Sequence, residues 1–112
     1  MSLPAGALRH RVQLEQRVVE QDSDGAQVES WLEVGGLIPA EIAPLSGREL
    51  IAAAAVQSKA STRIRIRHRP GVSASMRVVH RDTLYGIEAV IPDATSGVRY
   101  LTLLCTDGAN DG

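Results

Sequence analysis

Phenylalanine is absent from the sequence, and tryptophan and tyrosine together supply only Trp31, Tyr85 and Tyr100. Proteins that hold single-stranded nucleic acid without sequence preference stack its bases on aromatic rings, so this chain is poorly supplied for that task. Cysteine is nearly absent as well. With Cys105 alone no disulfide can form within the chain, which excludes a stapled secreted scaffold and makes a reducing compartment the expectation. No run approaches the roughly 18 apolar residues of a membrane helix, and the opening residues lack a basic start followed by an apolar stretch. Neither membrane insertion nor export by a standard signal is expected. Lysine is scarce too: eleven of the twelve bases are arginine, whose planar fork suits fixed ion pairs at interfaces.

What is present suits one globular domain. A length of 112 residues leaves room for one core, and 44% hydrophobic with 22% charged residues argues against wholesale disorder or a fibrous repeat. A net charge of -1 argues against a duplex-DNA binder held by bulk positive charge. That charge is unevenly spread, at -3 over residues 1–62, +5 over 63–82 and -3 over 83–112. A basic block between acidic flanks suits contacts with copies of the chain or with a charged partner.

Residues 8–19 alternate Val12 and Leu14 with Arg11, Gln13 and Glu15, which predicts a strand with one wet face. Asp22, Ser23, Asp24 and Gly25 supply a turn, and residues 27–34 return as the second arm of a hairpin. On that arm Val28, Ser30 and Leu32 share one face and Trp31 takes the other, so Trp31 is expected to cover a barrel end or a subunit contact. Gly35 and Gly36 allow a bend or bulge before residues 37–43, where Pro39 marks an edge or a strand start and interrupts pairing.

Ser46 followed by Glu49 is a capping-box signature, and Leu45 with Leu50 makes a hydrophobic staple, which together predict a helix near residues 47–57. A helix of about three turns is unstable alone in water and must pack on something. It either closes one barrel end with Leu50, Ile51, Ala54 and Ala55, or projects and docks on a neighbour, with Arg48, Glu49 and Leu50 in its first turn.

Residues 61–69 alternate throughout, placing Ile64, Ile66 and His68 on one face and Arg63, Arg65, Arg67 and Arg69 on the other. After the turn at Pro70 and Gly71, residues 76–80, 84–91 and 98–106 read as further strands. The fold expected is mainly β: a small antiparallel β-barrel or sandwich of about six strands with one short inserted helix. This single domain would cover residues 8–106, between a flexible arm of residues 1–7 and a disordered tail of residues 107–112.

Chemistry is thinly represented. His10, His68 and His80 lack cysteine partners and the short spacings of zinc sites, so no metal is expected, and His68 reads as a partly buried ring bonded to backbone. Cys105 lies in an apolar run and reads as a small buried hydrophobe. With no nucleophile elbow, phosphate-cradling glycine loop or recognisable acid pair, no catalytic residue or cofactor is expected.

The arginine row is the feature that asks for a role, since its members would stand about 6.8 Å apart along an extended strand and repel unless answered. Carboxylates on neighbouring strands, acidic flanks of a sister subunit, or nucleic-acid phosphates could answer them. Arg77 and Arg81 belong to the same basic block. The nucleic-acid account makes the chain a single-strand-binding small barrel, an alternative supported by the basic strand and opposed by the scarce aromatics and the net charge.

Several stretches, taken in order, point to a family. The opening Ala5-Gly6-Ala7-Leu8-Arg9-His10-Arg11-Val12, the Asp24-Gly25 turn, Trp31, residues 40–50 (Ala-Glu-Ile-Ala-Pro-Leu-Ser-Gly-Arg-Glu-Leu) and Ile64-Arg65-Ile66-Arg67 together resemble the phage head-tail joining proteins. Ile38-Pro39-Ala40 departs from the aromatic-Ala pair common in that family. The resemblance implies a structural subunit of a tailed-phage or prophage connector (adaptor, head completion or stopper protein) with no catalytic residues. It implies a small β-barrel that forms a ring between portal and tail, joining head to tail and in some cases retaining packaged DNA. The partners implied are the portal or adaptor protein, a tail-completion protein, further copies of the chain and, transiently in the channel, DNA. The expected location is the virion, with assembly in the bacterial cytoplasm. Subunit or portal contacts are expected at Arg63, Arg65, Arg67, Arg69, Arg77, Arg81, Arg48, Glu49, Leu50 and Trp31.

Overall fold

The computed structural model describes residues 8–92 and 98–107. The expected arm of residues 1–7 and the tail beyond Asp107 lie outside the described residues, as do residues 93–97. Within them run β1 (His10–Gln21), β2 (Gln27–Pro44), α1 (Gly47–Ala55), β3 (Thr62–Arg67), β4 (Met76–His80), β5 (Thr83–Pro92) and β6 (Tyr100–Asp107). The strands close into an antiparallel barrel in the order β1-β2-β3-β6-β5-β4. Closure resolves the choice between barrel and sandwich, and it removes the unpaired edges that an open sheet would expose.

The alternation seen in the sequence decides what fills the interior. Val12 and Leu14 of β1, Ile64 and Ile66 of β3, Val78 of β4, and Leu103 and Cys105 of β6 are fully buried, joined by Ala40, Met76, Ile87 and Leu101. No polar or charged residue is buried among the described residues. Aliphatic side chains thus do the packing that phenylalanine would do elsewhere.

β2 is longer than its sequence suggests. The bulge that Gly35 and Gly36 allowed is present, but pairing is not interrupted at Pro39, which faces Arg11 within one continuous strand: Val12 faces Ile38, whereas Leu14 faces Val34, so β2 carries two extra residues there. Gly35 takes a φ of +70°, which glycine adopts without the steric cost of a Cβ, and Gln13 Nε2 donates to Gly35 O at 3.0 Å and to Val34 O at 3.3 Å. Pro39 is tolerated because β3 pairs with β2 only from Ala40 onward, so its missing N–H leaves no gap in that ladder.

Beyond the barrel, β1 and β2 continue as a two-stranded arm. β4 pairs with β1 only over residues 13–16 and β3 with β2 only over residues 40–44, so among the described residues, residues 17–31 have each other as their only strand partners. The arm ends in the expected turn, where Asp22 Oδ1 accepts from Asp24 N and Ala26 N, both at 2.9 Å, and Gly25 adopts φ +85°. The extents of 52 × 32 × 26 Å reflect this projection.

β3 is shorter than the alternation of residues 61–69 suggests. It ends at Arg67, where His68 N turns to Arg99 O at 2.8 Å, and His68 is exposed rather than partly buried. β6 likewise begins at Tyr100 instead of Val98 and runs through Asp107, one residue into the expected tail.

Candidate functional site

Helix α1 starts where expected. Ser46 Oγ accepts from Glu49 N at 3.2 Å while Glu49 Oε1 accepts from Ser46 N at 2.8 Å, a complete capping box. Leu45 is buried, but Leu50, the other half of the expected staple, is 44% exposed. The expectation of a lid with Leu50, Ile51, Ala54 and Ala55 turned inward fails: all four are exposed, Ile51 by 74%, and Ala53 is the one residue of α1 that is buried. With the interior already filled by strand side chains, the helix has no open end to plug. It overhangs the outer wall instead.

Two clamps hold it there. Arg63 Nη1 bonds both oxygens of Glu49, at 3.2 and 3.1 Å, so the helix N-terminus is tied to the outer face of β3. At the other end, Ser58 Oγ and Lys59 N each donate to Glu88 Oε1 of β5 at 3.4 Å, and Ser61 N donates to Cys105 O at 2.9 Å. Between helix and wall lies a groove of about 860 Å³, lined by Ala52, Ala53 and Val56 of α1 and by Arg65, Ile91 and Leu104 of the strands among others.

Glu49 has its carboxyl held below the usual carboxylate range, chiefly by the Ser46 backbone amide; burial, the next largest effect, opposes this, and the Ser46 hydroxyl and Arg63 add to the lowering. A carboxylate with a lowered native pKa stabilises fully above its unfolded-state pKa and loses that contribution as pH falls through the native value. Acidification below the ordinary carboxylate range is therefore expected to fray α1 first. Ser46→Ala should reproduce the effect at neutral pH, removing about 1 kcal/mol from the helix. Amide exchange in residues 47–55 would rise while the barrel amides hold; equal loss in both would show that helix and barrel melt as one.

The arginines do not form one surface. Arg63 is consumed by Glu49, Arg65 Nε reaches only Thr102 Oγ1, at 3.4 Å, among the described residues, and Arg67 is exposed at the strand end. Arg69 leaves the row altogether. Its Nη2 stands only 2.9 Å from where a Cβ on Gly35 would sit, so the guanidinium packs over the β2 bulge. Arg81 sits in the two-residue turn between β4 and β5 with φ 55°, and Arg48 is exposed on the first turn of α1.

Arg77 and Trp31 meet on a different face, across β4, β1 and β2. The Arg77 guanidinium lies 4.1 Å from the Trp31 ring centroid, and its Nε donates to Glu15 Oε1 at 2.7 Å, the Glu15–Arg77 pair being directly opposed in the ladder. Arg17, opposite Trp31, pairs with Glu29 at 2.8 Å. Trp31 Nε1 and Arg77 Nη1 are buried without an acceptor among the described residues. One face of the Trp31 ring is thus covered by its own chain, which leaves at most one face for stacking and weakens the nucleic-acid account. Sequence reasoning missed Glu15, Glu29 and Glu88 as partners, although the alternation of β1 already placed Glu15 and Arg17 on the outer face.

His10 and His80 meet at one barrel end, ring centroids 5.0 Å apart in an edge-on arrangement. Burial, followed by His10 and Arg81, holds the His80 pKa below the usual histidine range. For a base so shifted, the unfolded chain takes up its proton first on acidification, so stability falls with pH from the ordinary histidine range downward. His80→Gln is expected to flatten thermal stability between about pH 7 and 5 relative to wild type; an unchanged pH slope would exonerate this pair. Burial pushes the Cys105 thiol up to about 12, with Glu88 adding to the shift, so it stays protonated at neutral pH and packs as the small hydrophobe expected. No group of three or more His, Cys, Asp or Glu residues able to hold a metal occurs among the described residues, and no described helix is long and apolar enough to cross a membrane.

A small closed barrel that carries an arm on one side and a strapped helix on another is built to present shaped surface to other macromolecules. The sequence pattern of the phage head completion proteins matches residues 3–108, and the chain belongs to that family. It is 34% identical over 110 residues to head completion protein gp7 of Enterobacteria phage HK97, covering 93% of this chain and 96% of that protein. The solution structure of protein SF1141 from Shigella flexneri 2a superposes with a TM-score of 0.77 at 26% identity, over 96% of this chain and 99% of that one. A chain in the virion of a native gene transfer agent particle shares the fold, with a TM-score of 0.56 at 18% identity over 91% and 96% of the two chains. Membership bears out the resemblance noted in the sequence and places the chain among bacteriophage structural proteins rather than in an enzyme family.

Proposed function

We propose that the chain is a subunit of the connector of a tailed phage or prophage, forming a ring between portal and tail that joins head to tail and helps retain packaged DNA. The observation that carries this reading is the family match over residues 3–108, nearly the whole chain. The geometry agrees with it. A closed barrel provides a rigid body without sticky sheet edges, while the arm of residues 17–31 and α1 leave it on separate paths and can reach separate neighbours.

In this reading the portal or an adaptor protein lies on one side of the ring and a tail-completion protein on the other, with DNA passing transiently through the channel. The protein would assemble in the host cytoplasm and end in the virion. The segment of residues 46–61 would reorder on docking, since α1 spans nine residues and is tied down mainly by side-chain clamps. Electron microscopy of the protein mixed with portal-bearing heads is the test. An added ring of density below the portal is expected; heads that show no added density at saturating protein would refute the assignment.

A further inference from the structure

The groove under α1 is lined by Arg63, which Glu49 answers, by Glu88, and by Arg65, which has no carboxylate partner among the described residues. The exposed Arg67 follows on the same strand, and the projecting arm carries the opposite charge. We propose that the groove receives the β1–β2 arm of a second copy of the chain, so that neighbouring subunits join arm into groove. The proposal rests on the ring-forming role above and names the contact that builds the ring.

Charge supports this pairing. Residues 17–31 hold one base and four acids, whereas the groove and its β3 edge carry Arg63, Arg65 and Arg67 against Glu49 and Glu88. Internal pairs remove Arg17 with Glu29 on the arm and Arg63 with Glu49 at the groove. Glu20 and Asp24 then remain exposed on the arm with no ion pair among the described residues, and Asp22 keeps its charge while holding the turn. At the groove, Arg65 has only a hydroxyl partner and Arg67 none among the described residues. Glu88 on the far wall accepts from Ser58 Oγ and Lys59 N at 3.4 Å and keeps its negative charge, so the cationic side of the groove is its β3 edge. Complementary potentials of this kind fix the register of a contact and speed the encounter.

The apolar surfaces also suit each other. On the arm, Val18, Val28 and Leu32 share one face, continuing the inward side of β1 past the barrel, with Val28 46% and Leu32 62% exposed. The groove offers Ala52, Val56, Ile91, Pro92 and Leu104, and at about 860 Å³ it has room for several side chains. Arm and groove are different patches of one molecule, so their contact is head-to-tail. Such contacts generate a ring where the rotation closes, which a self-complementary dimer contact would not.

A chain carrying Val28→Cys and Ala52→Cys, treated with a short bis-maleimide, tests the contact both in concentrated solution and on portal-bearing heads. Cys105 will not compete, being fully buried. A ladder of covalent multimers is expected in at least one setting, and neither single-cysteine variant should extend beyond a dimer. Ile91→Cys replaces Ala52→Cys should the latter disturb α1. Adding Glu20→Lys with Asp24→Lys, or Arg65→Glu with Arg67→Glu, should cut the ladder at least about tenfold, and all four reversals in one chain should restore it. Absence of the ladder in both settings overturns the proposal, as does a ladder indifferent to the charge reversals. A single-stranded oligonucleotide retained through Arg65 and Arg67, without a ladder, would assign the groove to nucleic acid. Co-sedimentation with heads is scored separately: binding without a ladder sinks this contact alone, and a ladder without binding sinks the connector reading alone.

Discussion

Replacing Leu103 by alanine is expected to destabilise the protein by about 2–5 kcal/mol, the range for a leucine truncated inside a packed core. Leu103 is fully buried on β6, where it faces Ile64 of β3 on one side and Val90 of β5 on the other. A closed barrel cannot collapse onto the vacancy without slipping a ladder, so the loss should lie toward the upper end. Small domains have only about 5–15 kcal/mol of stability to lose. The melting temperature should therefore fall by roughly 10 °C or more. Leu37→Ala, at a position 61% exposed on β2, is the control and should change little. Equal shifts for the two variants would mean that the barrel interior is not the sealed core described.

Truncating Glu15 should have the next largest effect. Its side chain and that of Arg77 are 16% and 12% exposed, and Arg77 Nη1 already lacks an acceptor among the described residues. Glu15→Ala removes the one carboxylate that reaches this guanidinium among the described residues and leaves a mostly buried cation without a counter-charge, a change expected to cost on the order of 2–3 kcal/mol. Glu29→Ala, which breaks the more exposed Arg17 pair, should cost under about 1 kcal/mol. Trp31 is the only tryptophan and lies 4.1 Å from the Arg77 guanidinium, so its fluorescence reports on the same contact. A changed emission in Glu15→Ala but not in Glu29→Ala is expected. Identical spectra in wild type and both variants would show that Arg77 keeps its place without Glu15.

These two sites differ in how far the sequence foretold them. Leu103 could be placed in the core because β6 alternates, and alternation follows from the geometry of any single strand. The partnership of Glu15, Trp31 and Arg77 could not. Glu15 and Arg77 are 62 residues apart and meet only because β4 closes the barrel against β1. The same distinction runs through the arginine row. Its alternation was legible up to Arg67, but Arg69 turned away because a glycine bulge on β2 opened space for its guanidinium. The candidate groove was not legible at all. Its walls come from α1, β3, β5 and β6, and it exists only because the helix lies over the outside of the barrel.

By itself, then, the sequence determined where strands form though not their full extents, the Asp22 turn, the capped start of α1 and the hidden side of the alternating strands, all of which depend on neighbours a few positions away. Tertiary structure alone decided that the sheet closes, that β2 runs unbroken through its glycines, that α1 straps the outer wall, and which arginines keep an unanswered charge. Those outcomes depend on pairing between distant strands, where a shift of one register position would send every side chain to the opposite face.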